Sequence, residues 1–172
     1  MSFKQAVEST PHLKGRWKPG LQALRAEDKP HVKPVTPKYL LGSVDIDTAH
    51  QKLPEHASAN RWDFAIGFQH TNRTDEVIYW VETHTGSDGE IDTMLRKFVW
   101  LKAWLRGGGS TLAGFKASYI WAPSGATSFT QGSQQVRKLA AQGLTYVGSR
   151  GLVIPDGHEE SNAWEPAEGV MG

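Results

Sequence analysis

The fold is decided by residues 61–84, RWDFAIGFQHTNRTDEVIYWVETH, around which the rest of the chain can be arranged. Apolar side chains alternate at 61–68 and again at 76–85, and a polar turn separates the two stretches at 70–75. Because side chains alternate between the faces of a strand, these stretches predict two strands joined as an antiparallel hairpin. On one face of the first strand we expect four large side chains: Trp62, Phe64, Ile66 and Phe68.

Strand and helix patterns flank this hairpin on both sides. An alternating stretch at 39–47 predicts a preceding strand, followed by a short helix for which Asp47 is the expected N-cap. After the hairpin, a helix is expected to end at Arg106, before three consecutive glycines. Its apolar residues are spaced as on the buried face of a helix: Ile91, Met94, Leu95, Phe98, Leu101 and Leu105.

Two more strands are predicted after this helix. They cover residues 115–122 and 144–154, and a helix at about 129–141 separates them. An antiparallel meander followed by alternating helices and strands favours an α/β fold. We therefore expect a single domain with a central mixed β-sheet flanked by helices.

Composition divides the chain into three parts. Residues 1–38 carry eight Lys and Arg against three Asp and Glu, and they predict a basic N-terminal segment with helices at 2–9 and 20–28 and a proline-rich arm after them. Residues 39–155 form the expected α/β core. Residues 156–172 contain five acidic residues and no Lys or Arg, which predicts an acidic flexible tail.

The composition also excludes several kinds of site. The chain has no cysteine, so it has no disulfide, thiolate zinc site or cysteine nucleophile. No apolar stretch approaches the ~20 residues of a membrane-spanning helix, and the first residues lack the apolar segment of a secretory signal. We therefore expect a cytoplasmic protein that does not bind membranes; its oligomeric state is left open.

Three side chains form the strongest candidate site. Asp63 lies at the start of the first hairpin strand, and Glu82 and His84 share one face near the end of the second. Two carboxylates and an imidazole at one end of a hairpin suit a hard divalent cation such as Mg²⁺ or Mn²⁺. The alternative is that Glu82 and His84 are hydrated at the rim of the sheet. The sequence leaves both interpretations open.

This pattern resembles the PD-(D/E)XK, or restriction-endonuclease-like, nuclease superfamily. Members have a helix, a three-strand meander, a helix and a further strand, with Asp on the second strand and Glu-x-Lys on the third. Asp63 matches the Asp, and Glu82 and Thr83 match the Glu and the spacer, whereas His84 occupies the position of the lysine. The resemblance covers roughly residues 39–122 and implies metal-dependent hydrolysis of nucleic acid.

In such nucleases the lysine at this position acts beside the scissile phosphate. This chain has His84 in place of that lysine. A neutral imidazole accepts a proton from a metal-bound water, which makes His84 a candidate base or third metal ligand. It does not supply a permanent positive charge. Lys97 and Lys102 on the following helix are candidates for that charge, and helical spacing favours Lys102, which falls within the apolar stripe.

The second hypothesis is a catalytically inactive nuclease-like domain that binds a protein or a nucleic acid, either DNA or RNA. In this interpretation the basic N-terminal segment and basic residues on the helices contact the partner. Trp100 and Trp104, on the helix face away from the apolar stripe, are then expected to form an exposed interaction surface.

Overall fold

The predicted hairpin lies at the centre of a five-stranded mixed sheet in the computed structural model, which describes residues 1–86, 90–125, 129 and 132–158. The first three strands are antiparallel, and the last two run parallel to the third. In spatial order, which is also their order in the chain, the strands are β2 (Leu40–Asp45), β3 (Phe64–Phe68), β4 (Val77–Glu82), β5 (Lys116–Trp121) and β6 (Leu144–Tyr146).

Helices cover one face of this sheet. Their bounds are α1 (Phe3–Ser9), α2 (Ile46–His50), α3 (Glu90–Leu105), α4 (Ser110–Ala113) and α5 (Gln134–Ala141). The apolar stripe of α3 packs on Ile78 and Trp80 of β4, and Phe3 of α1 belongs to the same buried cluster. The predicted single α/β domain with a mixed sheet is therefore confirmed, and residues before position 39 are part of its core.

The other face of the sheet is covered by irregular segments and a small second sheet. In this sheet β1 (Val32–Pro34) pairs in parallel with β7 (Leu152–Ile154), and we call these two strands the clasp. The predicted strand at 144–154 is therefore two strands in different sheets. Gly151 lies between them with φ +80°, and a Cβ there would approach the carbonyl oxygen of His31 to 2.8 Å. The close approach of the clasp strands thus requires glycine at this position.

The structure differs from several local predictions at element ends and caps. Trp62 packs with the helix-covered cluster, opposite to Phe64, because β3 begins only at Phe64. Asp45, and not Asp47, caps α2 by accepting a hydrogen bond from the Thr48 N–H at 2.8 Å. Residues 20–28 form turns, and the helix expected at 129–141 begins at Gln134.

The expected acidic tail begins with residues that contact the core. The Thr36 hydroxyl donates to the Asp156 carboxylate at 2.9 Å, and the Thr71 N–H donates to the Asp156 carbonyl at 2.8 Å. Residues 159–172 of the predicted tail lie outside the described residues. Within the described part of the chain, no helix has the length and apolar character needed to cross a membrane.

Candidate active site

The two predicted carboxylates meet at the end of the β3–β4 hairpin. Phe64 pairs with Val81, which places Asp63, immediately before β3, beside Glu82, the last residue of β4. Glu82 follows Ile78 and Trp80 on the helix-covered face and is fully buried, and Asp63 is 5% exposed. The predicted convergence of Asp63 and Glu82 is therefore confirmed.

The Glu82 carboxylate is held by three donors. Its Oε2 accepts the Asp63 backbone N–H at 3.1 Å. Its Oε1 accepts the His84 backbone N–H at 3.1 Å and the Lys97 ammonium at 3.2 Å. The same Lys97 Nζ donates to the Arg61 carbonyl at 3.1 Å, so this lysine bridges the strand end and the segment before β3.

Asp63 is held from the opposite side. Its Oδ2 accepts both the backbone N–H and the hydroxyl of Thr83, at 3.1 and 3.0 Å. Its Oδ1 lies 3.3 Å from Nη2 of Arg25, whose side chain is half-exposed. The carboxyl pair therefore has Lys97 on one side and Arg25 on the other, and the arrangement is fixed mainly by backbone groups of the hairpin.

The pKa values of the two carboxyl groups move in opposite directions. Burial and the charge of Asp63 raise the pKa of Glu82 well above its ordinary value, despite the nearby Lys97. Burial would also raise the pKa of Asp63, but a hydrogen bond from Glu82 and the charges of Lys97 and Arg25 outweigh it, so the Asp63 pKa is lowered. The two carboxyl groups are therefore coupled, and Glu82 binds a proton more readily than Asp63.

His84 lies at the rim of this site. Its backbone N–H binds Glu82, but its imidazole Nε2 contacts the carboxylate of Glu90 in the first turn of α3. The side chains of His84 and Glu90 are 34% and 27% exposed. The imidazole is thus oriented by Glu90 at the solvent-accessible edge of the buried carboxyl pair.

Lys97, and not Lys102, reaches the carboxylates. The Lys102 ammonium lies 4.5 Å from the ring centroid of Phe98, and within the described residues it forms no ion pair. The buried face of α3 includes Trp104, which shifts the centre of the face toward Leu101. At about 100° per residue, Lys97 lies only about 40° from Leu101. Assigning Trp104 to the buried face would have identified Lys97 from the sequence.

The structure brings together two of the three predicted metal ligands. The His84 ring is engaged with Glu90, and in the described part of the chain no group of three or more His, Asp or Glu side chains is arranged to hold a metal ion. Asp63 and Glu82 remain as two neighbouring carboxyl groups. A cation at this position stays a prediction, with two protein ligands instead of three.

The tryptophans expected on an exposed surface are largely covered. Trp104 is 6% exposed and Trp100 is half-buried, and their ring planes are parallel, 4° apart, with centroids separated by 6.0 Å. Residues 46–56 and the segment around His12 pack over this face of α3. Trp100 and Trp104 therefore do not form the predicted exposed interaction surface.

Comparison of the chain with protein-family models, with curated proteins and with solved structures gives no match.

Proposed function

We propose that the protein is a divergent metal-dependent nuclease that hydrolyses phosphodiester bonds in a nucleic acid. The observation that carries the proposal is the 3.2 Å contact between Lys97 and Glu82 beside Asp63. Lys97, which lies on α3, supplies the positive charge that is lacking at position 84. The order of α1, the β2–β3–β4 meander, α3 and β5 supports a restriction-endonuclease-like core.

The donor set fits a hard cation in part. Asp63 and Glu82 offer neighbouring carboxylate oxygens, and a divalent cation bound to them would relieve the repulsion between the two charges, which raises the pKa of Glu82. Mg²⁺ in phosphoryl-transfer sites is commonly held by one or two carboxylates and completed by water and phosphate oxygens. When bound, such a cation would polarise a phosphate oxygen and acidify a water molecule.

The surrounding side chains suit the remaining requirements of phosphodiester hydrolysis. Lys97 and Arg25 place positive charge on both sides of the carboxyl pair, where the pentacovalent transition state would gain negative charge. His84, oriented by Glu90 at the accessible rim, is the group placed to accept a proton from the attacking water. Lys97 and His84 thus divide the two tasks of the family's single lysine.

A specific observation favours the second candidate, an inactive nuclease-like binding module. Glu82 is fully buried and its oxygens are already occupied by two backbone N–H groups and Lys97. Fully satisfied buried networks also serve to fix a unique core. The two candidates differ in whether the wild-type protein cleaves nucleic acid when Mg²⁺ or Mn²⁺ is added.

The test is cleavage of single- and double-stranded DNA and RNA with and without Mg²⁺ or Mn²⁺. We expect Lys97→Met to lower the turnover about 100-fold or more, as loss of a charge-stabilising donor does. Lys102→Met, on the same helix and away from the carboxylates, should leave it unchanged. We also expect His84→Gln to lower the rate by about 100-fold or more.

Two results would contradict the proposed nuclease activity. One is the absence of metal-dependent cleavage on all four substrates, with retention of binding to one of them, which supports the inactive module. The other is equal turnover of wild type and Lys97→Met, which would separate the chemistry from this site.

A further inference from the structure

A cavity of about 530 Å³ is lined in part by the parallel indole rings of Trp100 and Trp104. Its wall also contains three histidines, His12, His50 and His56. The ring of His50 stands edge-on to the rings of both tryptophans, with centroids 5.6 and 5.2 Å away. This volume falls within the range of small-molecule sites.

His50 has an unpartnered nitrogen in this wall. Its residue is fully buried, its Nδ1 lies 2.8 Å from the Ile46 carbonyl, and its Nε2 is buried without a hydrogen-bond partner. A carbonyl oxygen only accepts, so Nδ1 carries the proton and Nε2 of the neutral ring is an acceptor. Burial is the main cause that lowers the pKa of His50, and a lowered pKa favours the neutral ring.

His56 presents the complementary group. The indole N–H of Trp100 donates to its Nδ1 at 3.2 Å. An indole N–H only donates, so the neutral ring of His56 carries its proton on Nε2. The centroids of the His50 and His56 rings are 5.3 Å apart. The wall thus combines one acceptor and one donor with flat aromatic surface.

The backbone around the cavity has features of a built site. His12 has φ +70°, a left-handed conformation that non-glycine residues rarely adopt and that concentrates at functional sites. Gly108 lines the cavity, and a Cβ there would come to 3.4 Å from Nε1 of Trp104. Glycine therefore leaves the edge of this indole accessible.

We propose that this cavity binds a nucleobase, which hydrogen bonds to His50 and His56 and packs against Trp100 and Trp104. A base is planar and carries a donor and an acceptor on one edge, which matches the acceptor of His50 and the donor of His56. Aromatic side chains provide stacking surfaces for bases.

The proposal does not depend on catalysis at Asp63 and Glu82. The base belongs to a free nucleotide or to a strand of nucleic acid, and the size of the probe distinguishes these sources. Tighter binding of a short single-stranded oligonucleotide than of a mononucleotide identifies a strand. Equal binding identifies the nucleotide.

The experiment is titration of the full-length protein with AMP, CMP, GMP, UMP and oligonucleotides, followed by tryptophan fluorescence in EDTA. We expect saturable quenching by at least one nucleotide and none by ribose 5-phosphate. His50→Phe keeps the ring and removes the acceptor, so it should weaken binding about fivefold to tenfold. His31→Phe, a histidine outside the cavity, is the matched control and should bind as wild type.

Gly108→Ala provides a second test that leaves every histidine in place. Its methyl group would narrow the cavity beside Trp104, and we expect weaker binding with an unchanged circular dichroism spectrum. This variant decides the question if His50→Phe does not fold.

Three outcomes would overturn the proposal. These are equal quenching by ribose 5-phosphate, nucleotide affinity that neither variant changes, and no quenching by any nucleotide or oligonucleotide. Stoichiometric binding of Zn²⁺ or Ni²⁺ in the absence of EDTA, lost in His50→Phe and accompanied by no nucleotide binding, would assign the histidines to a metal instead.

Discussion

At the scale of single residues, Asp63 and Glu82 are two neighbouring carboxyl groups whose pKa values are shifted in opposite directions. The pKa of Asp63, to which Thr83 and Arg25 donate, is lowered. Burial and the charge of Asp63 raise the pKa of Glu82, although Lys97 lies 3.2 Å from it. Neighbouring groups with opposite pKa shifts are common at functional sites, where one of them accepts a cation or a proton. The opposite shifts also mean that the same chemical substitution has different consequences at the two positions.

We expect amide substitutions to affect stability with opposite signs. Asp63→Asn removes a charge that is stabilised in the native state, so the free energy of unfolding at pH 7 should fall by about 1.5–3 kcal/mol. Glu82→Gln imitates the protonated carboxyl. Because the pKa of Glu82 is raised on folding, its stabilising contribution is complete below the unfolded pKa and is lost as pH rises. Glu82→Gln should therefore become more stable than wild type with increasing pH.

Urea denaturation in EDTA, at several pH values between 6 and 9, measures both effects. If Asp63→Asn and Glu82→Gln lose stability equally at every pH, the opposite pKa shifts of the two carboxyl groups are wrong.

At the scale of elements, α3 connects the core to both proposed sites. Met94, Phe98 and Leu101 face the sheet, Lys97 reaches the carboxyl pair, and Trp104 forms the floor of the cavity. Lys97 and Trp104 are seven residues apart, which is about 10 Å along the helix axis. Small shifts of this helix therefore alter both sites together.

Truncation of the central aromatic residue of α3 should be strongly destabilising. Phe98 is 1% exposed and packs on Tyr119 with a centroid separation of 5.1 Å. We expect Phe98→Ala to lower the free energy of unfolding by about 3–5 kcal/mol, measured by chemical denaturation. Val99, the next residue, is 61% exposed, and Val99→Ala should change stability by less than about 0.5 kcal/mol. Similar losses in both variants would contradict the orientation of α3.

At the scale of the whole molecule, the sequence predicts local secondary structure better than the pairing of strands that are far apart in the chain. The alternation at Phe64–Phe68 and Val77–Glu82 identifies the hairpin, and this hairpin places Asp63 beside Glu82. The clasp joins Val32 to Leu152, and no pattern within either short segment specifies the other. The helical pattern favours Lys102 over Lys97 because it places Trp104, an amphipathic residue, away from the apolar stripe, whereas Trp104 is buried in the structure.

The pH dependence of global stability should reflect two buried histidines. Burial lowers the pKa of both His50 and His70, so their contribution to stability is present above the unfolded pKa of about 6.5 and is lost as pH falls. We expect the two histidines to lower the free energy of unfolding between pH 7 and pH 5, whereas Glu82, whose pKa is raised, acts in the opposite direction. The slope is limited to about 1.4 kcal/mol per pH unit for each histidine.

His50→Phe should make this slope shallower, and His31→Phe should not change it. Thermal denaturation over this pH range, with urea titrations at its ends, provides the measurement. The same pH dependence in wild type and His50→Phe would show that His50 titrates alike in the folded and unfolded chain.

The clasp has a consequence for folding during synthesis on the ribosome. Val32 leaves the exit tunnel long before Leu152, its partner, has been synthesised. At about 5–20 residues per second, the first clasp strand waits roughly 6–24 seconds for the second. During this interval one face of the nascent sheet lacks part of its cover, with Phe64, Ile66 and Tyr79 among the apolar side chains on that face. We therefore expect chaperones that recognise exposed aromatic segments to bind the nascent chain. This binding should last until the last strand has been translated.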